Sequence, residues 1–327
     1  MYFIFALVAL LCWSGSDLFS KKGTNEKDPN SHWKVVFAVG LIMGIHFFIT
    51  LIGGTIIDSV GGPDEVPKFI ASLFYTDFKF IDFINYLPVA ALYIFAMVLG
   101  YIGLRYIELS VSSPICNCSG SLALLLCAIF LPMLGGDVIE LDAWSIIGVV
   151  LITLGIIAVG IVDSKESQEL KELRRLESNR KYTKSFLALL LPIAYLIIDA
   201  LGTVGDEMFF IFNDISDYSA NSSFELTFFF LAVFAFIWVK FVKKDNLFKN
   251  QSKDVYIGGL CETIGQVFYM AVMFADYEIG MPIISAYCVV SLLWSRIFLK
   301  EKLSKYHYAS IATTIAGIIL LGIFSPV

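Results

Sequence analysis

The chain has 327 residues, of which 58% are hydrophobic and only 16% charged, with a mean hydropathy of +0.79. Soluble domains are about half apolar and about a quarter charged, so this chain has too little polar surface to cover a water-soluble core. The net charge of −6 argues against nucleic acid as a partner.

The apolar residues fall into long blocks of roughly 20, the thickness of a bilayer's hydrocarbon. Lipid offers no partner to a backbone N–H or C=O, so such blocks must be helices. The six cysteines, Cys12, Cys116, Cys118, Cys127, Cys261 and Cys288, all lie inside them. That excludes a secreted disulfide framework and marks the thiols as small packing groups.

In chain order the sequence predicts ten segments, with boundaries good to a few residues: about 2–20, 35–58, 86–107, 113–133, 143–162, 185–205, 224–242, 255–275, 281–299 and 307–324. The first is no cleaved signal peptide. It lacks a basic start and a small-residue cleavage site, and it carries Trp13 and Asp17 ahead of Lys21 and Lys22. Between the second and third segments, FIASLFYTDFKF has the composition of an interfacial stretch. Residues 163–184 read as a charged helix in water, with Glu and Lys at helical spacing. The predicted organisation is therefore a first five-helix repeat (1–162), a charged cytoplasmic linker (163–184) and a second five-helix repeat (185–327).

Loop charge sets the orientation. Of the 23 Lys and Arg, all but Lys68 and Lys79 fall in alternate loops on one side. That side is expected to be cytoplasmic, with both termini outside, in a multi-pass plasma-membrane protein.

The two halves echo each other. One ungapped offset pairs Tyr101 with Tyr269, Glu108 with Asp276 and Pro114 with Pro282. A GIIxxG string recurs at Gly155–Gly160 and Gly317–Gly322, and an aromatic precedes an acid by one turn in both Trp13–Asp17 and Tyr195–Asp199. Five segments per half is an odd number, so the second half is threaded in reverse, as in the inverted repeats of many secondary transporters. The stretches GYIGLRYIELSVSSPI (100–115), FYMAVMFADYEIGMPI (268–283), LCWSGSD and IFLKEKLSKYHYASIATTIAGIILLGI carry a more specific likeness. In these the chain resembles the drug/metabolite transporter superfamily, in its ten-helix EamA-like branch, where a Lys/Glu-rich loop precedes a glycine-bearing last helix. The resemblance implies a solute transporter. External termini differ from those of the nucleotide-sugar members and argue against a nucleotide-sugar substrate.

Ionisable groups inside a membrane are costly and are functional candidates. Asp17 reads either as a site residue or as an interfacial acid meeting Lys21 one turn on. Asp199 lies deeper, as a solute or proton site or as a partner for a neighbouring helix. Glu262 shares a helical face with Gly258, Gly265, Gln266 and Tyr269, a stripe too polar for lipid. The fourth segment opens with Ser113 as a plausible N-cap and Pro114 in the first turn, followed by Asn117, Ser119 and Ser121. The ninth carries Ser285, Tyr287, Ser291 and Trp294, which read equally as site or as hydrogen-bonded packing. His46 sits on a GxxxG face with Gly40 and Gly44 and is read as packing, while His32 and His307 are interfacial.

No Lys or Arg falls in the middle of a segment, and Arg105 and Arg296 lie near ends where they can snorkel. Acids without cations, beside Trp13, Tyr101, Tyr195, Tyr269 and Tyr287, suit a cationic or neutral solute. An aromatic ring gains about 0.5–2 kcal/mol against a cation. A carboxylate held from water can also trade a proton for the solute, which makes Asp17, Asp199 and Glu262 the proton-coupling candidates. The expected function is thus a secondary transporter of a small organic cation. An exporter of neutral metabolites such as amino acids or nucleobases is the alternative, and a non-transporting scaffold or sensor is the reading of another class. Walker, HExxH and GxSxG sequences are absent, so neither ATP hydrolysis nor an intramembrane enzyme is expected, and no cofactor or metal. The expected partners are the small-molecule solute and membrane lipid, with a homodimer as a compatible assembly.

Overall fold

A computed structural model of the chain describes residues 2–25, 28–135, 143–165, 186–248, 252–273, 284, 287–301 and 303–324. All regular structure among them is helical. The helices are α1 (Tyr2–Gly23), α2 (Ser31–Ser59), α3 (Lys68–Phe74), α4 (Phe80–Gly103), α5 (Leu109–Cys116), α6 (Ser119–Met133) and α7 (Ala143–Lys165). They continue with α8 (Phe186–Phe212), α9 (Asp217–Ile237), α10 (Asp254–Met273), α11 (Tyr287–Trp294) and α12 (Lys305–Phe324). A π-helical turn extends α9 through Trp238–Val242 and another extends α11 through Ser295–Leu299.

Seven helical spans among the described residues are long and apolar enough to cross a membrane: Ile4–Gly23, Ser31–Ser59, Phe80–Gly103, Leu109–Met133, Ala188–Phe212, Asp217–Val242 and Asp254–Val272. Their outward faces are apolar, with Leu11, Ile45, Ile52, Ile56, Phe95 and Ile129 all exposed. Water penalises such a surface and lipid does not. The protein is an all-helical, multi-pass membrane protein.

The fourth predicted segment is broken rather than continuous. Pro114 has no N–H to give, and the Cys118 thiol takes the Pro114 carbonyl at 2.9 Å while the Cys118 amide turns back to Ile115 at 3.1 Å. The chain tightens there, separating α5 from α6. Ser113 consequently lies inside α5 and is not its N-cap; that position belongs to Glu108. The FIASLFYTDFKF stretch splits into most of the short α3, a stretch of chain without regular structure, and the first residue of α4, Phe80. Helix α7 runs to Lys165, three residues into the predicted linker; the rest of that linker, Ser285 and the chain through 274–283 lie outside the described residues.

Helix α1 packs on α10 and α11, α4 on α8 and α9, α2 on α9 and α10, α6 on α8, and α7 on α12. Small residues permit the closest of these crossings. A Cβ on Gly155 would stand 2.1 Å from the Thr314 hydroxyl and 2.8 Å from its amide, and one on Gly317 would stand 2.6 Å from the Gly148 carbonyl. Gly40 meets the Phe228 carbonyl of α9 in the same way, at 2.3 Å, so the GxxxG reading of α2 as a packing face holds. The bundle has a basic and an acidic end. At one, Lys34 pairs with Asp28 at 2.6 Å and Asn30 reaches Asp245 at 2.9 Å. At the other, Asp77 accepts from Ser216, and Asp82 accepts from Ser219 at 3.1 Å.

Candidate functional site

Between the two ends, two helix pairs place aromatic rings on glycines. Trp13 of α1 lies over Gly265 of α10, so close that a Cβ there would be 2.4 Å from Trp13 Cδ1. The indole then packs 5.2 Å from Tyr269 and 5.9 Å, edge-on, from Tyr287. On the other pair, Tyr195 of α8 lies against Gly100 of α4, 3.0 Å from where a Cβ would stand. Each glycine removes the side chain that would otherwise push its ring away from the partner helix.

The three predicted acids surround these rings. Asp17 accepts two hydrogen bonds on Oδ2, from Ser113 of α5 at 2.6 Å and from Ser291 of α11 at 2.7 Å. Glu262 bonds to Ser16 and lies within electrostatic reach of Asp17, while Asp199 bonds to Ser119. Tyr195 stands within reach of both Asp199 and Glu262, and Tyr287 within reach of Asp17 and Glu262. Asp17 and Glu262 are thus neighbours, Asp199 is linked to them through Tyr195, and the three acids are partly exposed rather than sealed in the core. Their partners are hydroxyls. The ion pairs among the described residues are Lys34–Asp28 and His46–Glu225, and neither involves these acids.

Asp17 therefore does not follow the interfacial reading. Lys21 is 1% exposed and turns the other way, donating to the carbonyls of Leu104 and Ile107 beyond α4. Carbonyls at a helix C-terminus carry partial negative charge and suit a cation.

Tyr101 is 7% exposed, and its hydroxyl finds no hydrogen-bond partner among the described residues. It lies within electrostatic reach of Glu262 and Asp17. A buried hydroxyl left unmade costs about 1–3 kcal/mol, a cost that packing alone does not explain. Trp13 Nε1 is unpartnered in the same way.

Some polar groups here escaped the sequence reading. Helix α8 runs to Phe212, past the predicted end near 205, so Asp206 and Glu207 belong to the helix. Asp206 follows Asp199 by seven residues on one face and accepts from Tyr86 of α4 at 2.8 Å. Tyr93, one further face position along α4, donates to Thr203 at 3.3 Å. Helix α9 likewise starts at Asp217 and not near 224, which places Glu225 two turns inside. Glu225 is 0% exposed and bonds His46 Nδ1 at 2.8 and 3.0 Å, while His46 Nε2 faces the Leu73 carbonyl at 3.1 Å. Both ring nitrogens face oxygen atoms, the arrangement that an imidazolium donating from both nitrogens satisfies. Gln266 joins this network through Asn221, at 3.0 and then 3.3 Å to Glu225. His46 is therefore an ion-pair residue as well as a neighbour of packing glycines. The signal available in the sequence was the seven-residue spacing of Asp199 and Asp206; nothing local paired His46 with a residue 179 positions away.

A separate groove of 240 Å³ lies between α2, α3 and α10, lined mainly by apolar residues such as Ile45, Ile49 and Leu260, and containing none of the central acids. At the basic end, Glu301 is 2% exposed and crowns the start of α5. It accepts from the amides of Leu109 at 3.1 Å and Ser110 at 3.0 Å and from the Ser110 hydroxyl at 2.8 Å. This is the glutamate of the Lys/Glu-rich stretch before the last helix.

No protein family matches the chain, and no curated protein does. One solved structure, described only as the crystal structure of a protein, aligns with 99% of this chain and 97% of its own. The TM-score is 0.52 at 14% identity, which speaks to the fold alone.

Proposed function

We propose that the protein is a secondary transporter that carries a small organic cation across the plasma membrane by alternating access, exchanging it for protons. One observation carries this reading. Asp17 and Glu262 stand within electrostatic reach of each other and Tyr195 within reach of Glu262 and Asp199, in a part of the bundle that also holds Trp13, Tyr101, Tyr269 and Tyr287, and among the described residues the three acids have hydroxyls and no Lys or Arg as partners. Acids so placed want a cation that the protein does not itself supply. The rings beside them are the surfaces on which an organic cation gains most, whereas Gln266 is engaged with Asn221 in the His46–Glu225 network.

The architecture in this proposal is ten membrane helices in two inverted five-helix repeats, the arrangement of the EamA-like branch of the drug/metabolite transporters. In this reading α7, α11 and α12 supply the three further membrane helices. The packing supports the repeat as well. Helix α1 lies on α10 as α8 lies on α4, and α2–α9 and α7–α12 each pair counterparts. Gly155 and Gly317 press reciprocally on each other's helices. Loop charge assigns the end bearing Lys21, Arg105 and Arg296 to the cytoplasm and both termini to the outside.

The test is uptake into proteoliposomes over a panel of organic cations and neutral metabolites. The double variant Asp199→Asn with Glu262→Gln is expected to lose cation uptake and its pH dependence. Cation uptake that survives unchanged would falsify the acidic-site reading, and uptake confined to neutral metabolites would make the protein a neutral-solute exporter.

A further inference from the structure

Asp17 and Glu262 hold lone pairs that the protein leaves unused. Asp17 accepts both of its hydrogen bonds on Oδ2, from Ser113 at 2.6 Å and Ser291 at 2.7 Å, and among the described residues Oδ1 accepts none. Glu262 has the Ser16 hydroxyl as its partner, which leaves further lone pairs of that carboxylate open. The two acids stand within electrostatic reach of each other, and both are partly exposed.

A separate observation comes from α4. Tyr101 is 7% exposed, and its hydroxyl is buried without a hydrogen-bond partner among the described residues. It lies within electrostatic reach of Glu262 and Asp17. The ring belongs to the largest apolar cluster, with Ile94 and Val98, so packing keeps the hydroxyl where it is.

These groups ask for two different things. Neighbouring carboxylates ask for positive charge between them. A buried hydroxyl with no partner asks for a hydrogen bond. A quaternary ammonium meets the first demand and not the second, because it has no N–H. A primary ammonium meets both. A metal ion finds less here, since no group of three His, Cys, Asp or Glu side chains gathers among the described residues. The surroundings suit an organic body instead. Tyr287 is within reach of both acids, and Trp13 packs edge-on against it at 5.9 Å.

We infer that the solute is a primary amine whose ammonium group sits between Asp17 and Glu262 and gives one N–H to the Tyr101 hydroxyl, with Tyr287 and Trp13 against its organic part. This rests on the organic-cation reading above and narrows it to cations that bring their own N–H donors. Each methyl group placed on the nitrogen removes one donor and leaves one of these oxygens desolvated and unpaired.

The experiment measures binding to the purified full-length protein in lipid nanodiscs. The probes are hexylamine, its N-methyl and N,N-dimethyl derivatives and hexyltrimethylammonium, at neutral pH where all four are cations. Affinity is expected to fall along the series, with hexylamine about tenfold or more tighter than hexyltrimethylammonium. Tyr101→Phe keeps the ring and is expected to weaken hexylamine by about threefold or more while leaving hexyltrimethylammonium unchanged. Its melting temperature should not fall, because the hydroxyl it removes has no partner to lose. Equal affinity along the series overturns the primary-amine inference and leaves the cation reading intact. A large ratio that Tyr101→Phe does not change overturns the role given to Tyr101. If sodium ion binds in place of any amine, the pair is a metal-cation site and the inference falls. If no cation binds but a neutral metabolite does, both readings fall together.

Discussion

Glu301 offers the sharpest test of how the bundle is closed at its basic end. Its carboxylate is 2% exposed and takes three hydrogen bonds from the first turn of α5, two from backbone amides and one from Ser110. First-turn amides have no partner within their own helix, and they carry the positive end of its dipole, so an anion fits there on both counts. Hydrogen bonds to a charged group contribute about 1.5–3 kcal/mol each. Water reaching the freed amides would recover part of this, which leaves a net cost near 2–4 kcal/mol for Glu301→Ala. At about 2 °C per kcal/mol for a chain of this size, the melting temperature should fall by about 4–8 °C. Glu301→Gln keeps one acceptor oxygen and loses the charge, and should fall about half as far, since an amide nitrogen cannot accept. The assay is thermal unfolding of the purified protein in one detergent, followed by intrinsic fluorescence. A melting temperature for Glu301→Ala within about 1 °C of the parent would refute the reasoning, because a buried anion that costs nothing to remove cannot be holding α5.

Two further substitutions probe the packing and the polar network. Gly155→Leu should disrupt the α7–α12 crossing, where even a Cβ would stand 2.1 Å from Thr314 Oγ1 and 2.8 Å from its amide. Overpacking of about 1–3 kcal/mol or more should appear as a lower melting temperature, and no change would mean that the helices do not touch there. Glu225→Ala leaves His46 buried without its counter-charge and should destabilise by about 3–5 kcal/mol. Replacing His46 and Glu225 together by leucine should cost less than Glu225→Ala alone, and additive losses would show that the two residues do not act as a pair.

Much of this fold was legible in the sequence because a bilayer leaves the backbone one solution. Apolar blocks such as 35–58 and 255–275 have to be helices, and the structure places α2 and α10 on them. What resisted reading was where polar residues join those helices. A window that scores apolarity stops at an acid, so α8 ended short of Asp206 and α9 began close to Glu225. Both groups are inside because a tyrosine and a histidine on other helices meet them. No one-dimensional pattern carries that information. The break in the fourth segment has a local origin instead: Pro114 was visible, and the Cys118 thiol that captures its carbonyl lies only four residues on. Asp17 shows the non-local effect in reverse. Lys21 one turn away was the natural partner on spacing, yet Lys21 has the Leu104 and Ile107 carbonyls to satisfy, and two serines from distant helices are left for the acid.

The comparison of the two halves separates packing from chemistry. Trp13 over Gly265 and Tyr195 against Gly100 repeat one device, an aromatic ring set into a glycine notch of the neighbouring helix. The acids one turn beyond the rings repeat as well, Asp17 and Asp199. Glu262 does not. Its counterpart in the first half is Ile94, 4% exposed and part of the largest apolar cluster, alongside Val98 and Tyr101. A carboxylate at Ile94 would sit among Met43, Phe228 and Val98 without a partner, at a cost of several kcal/mol. The first half therefore keeps that position as core, and the second half opens it beside Ser16 and Asp17. Two acids within electrostatic reach of each other repel unless a proton or a cation stands between them. The pair Asp17–Glu262 exists only because the halves differ at this one position.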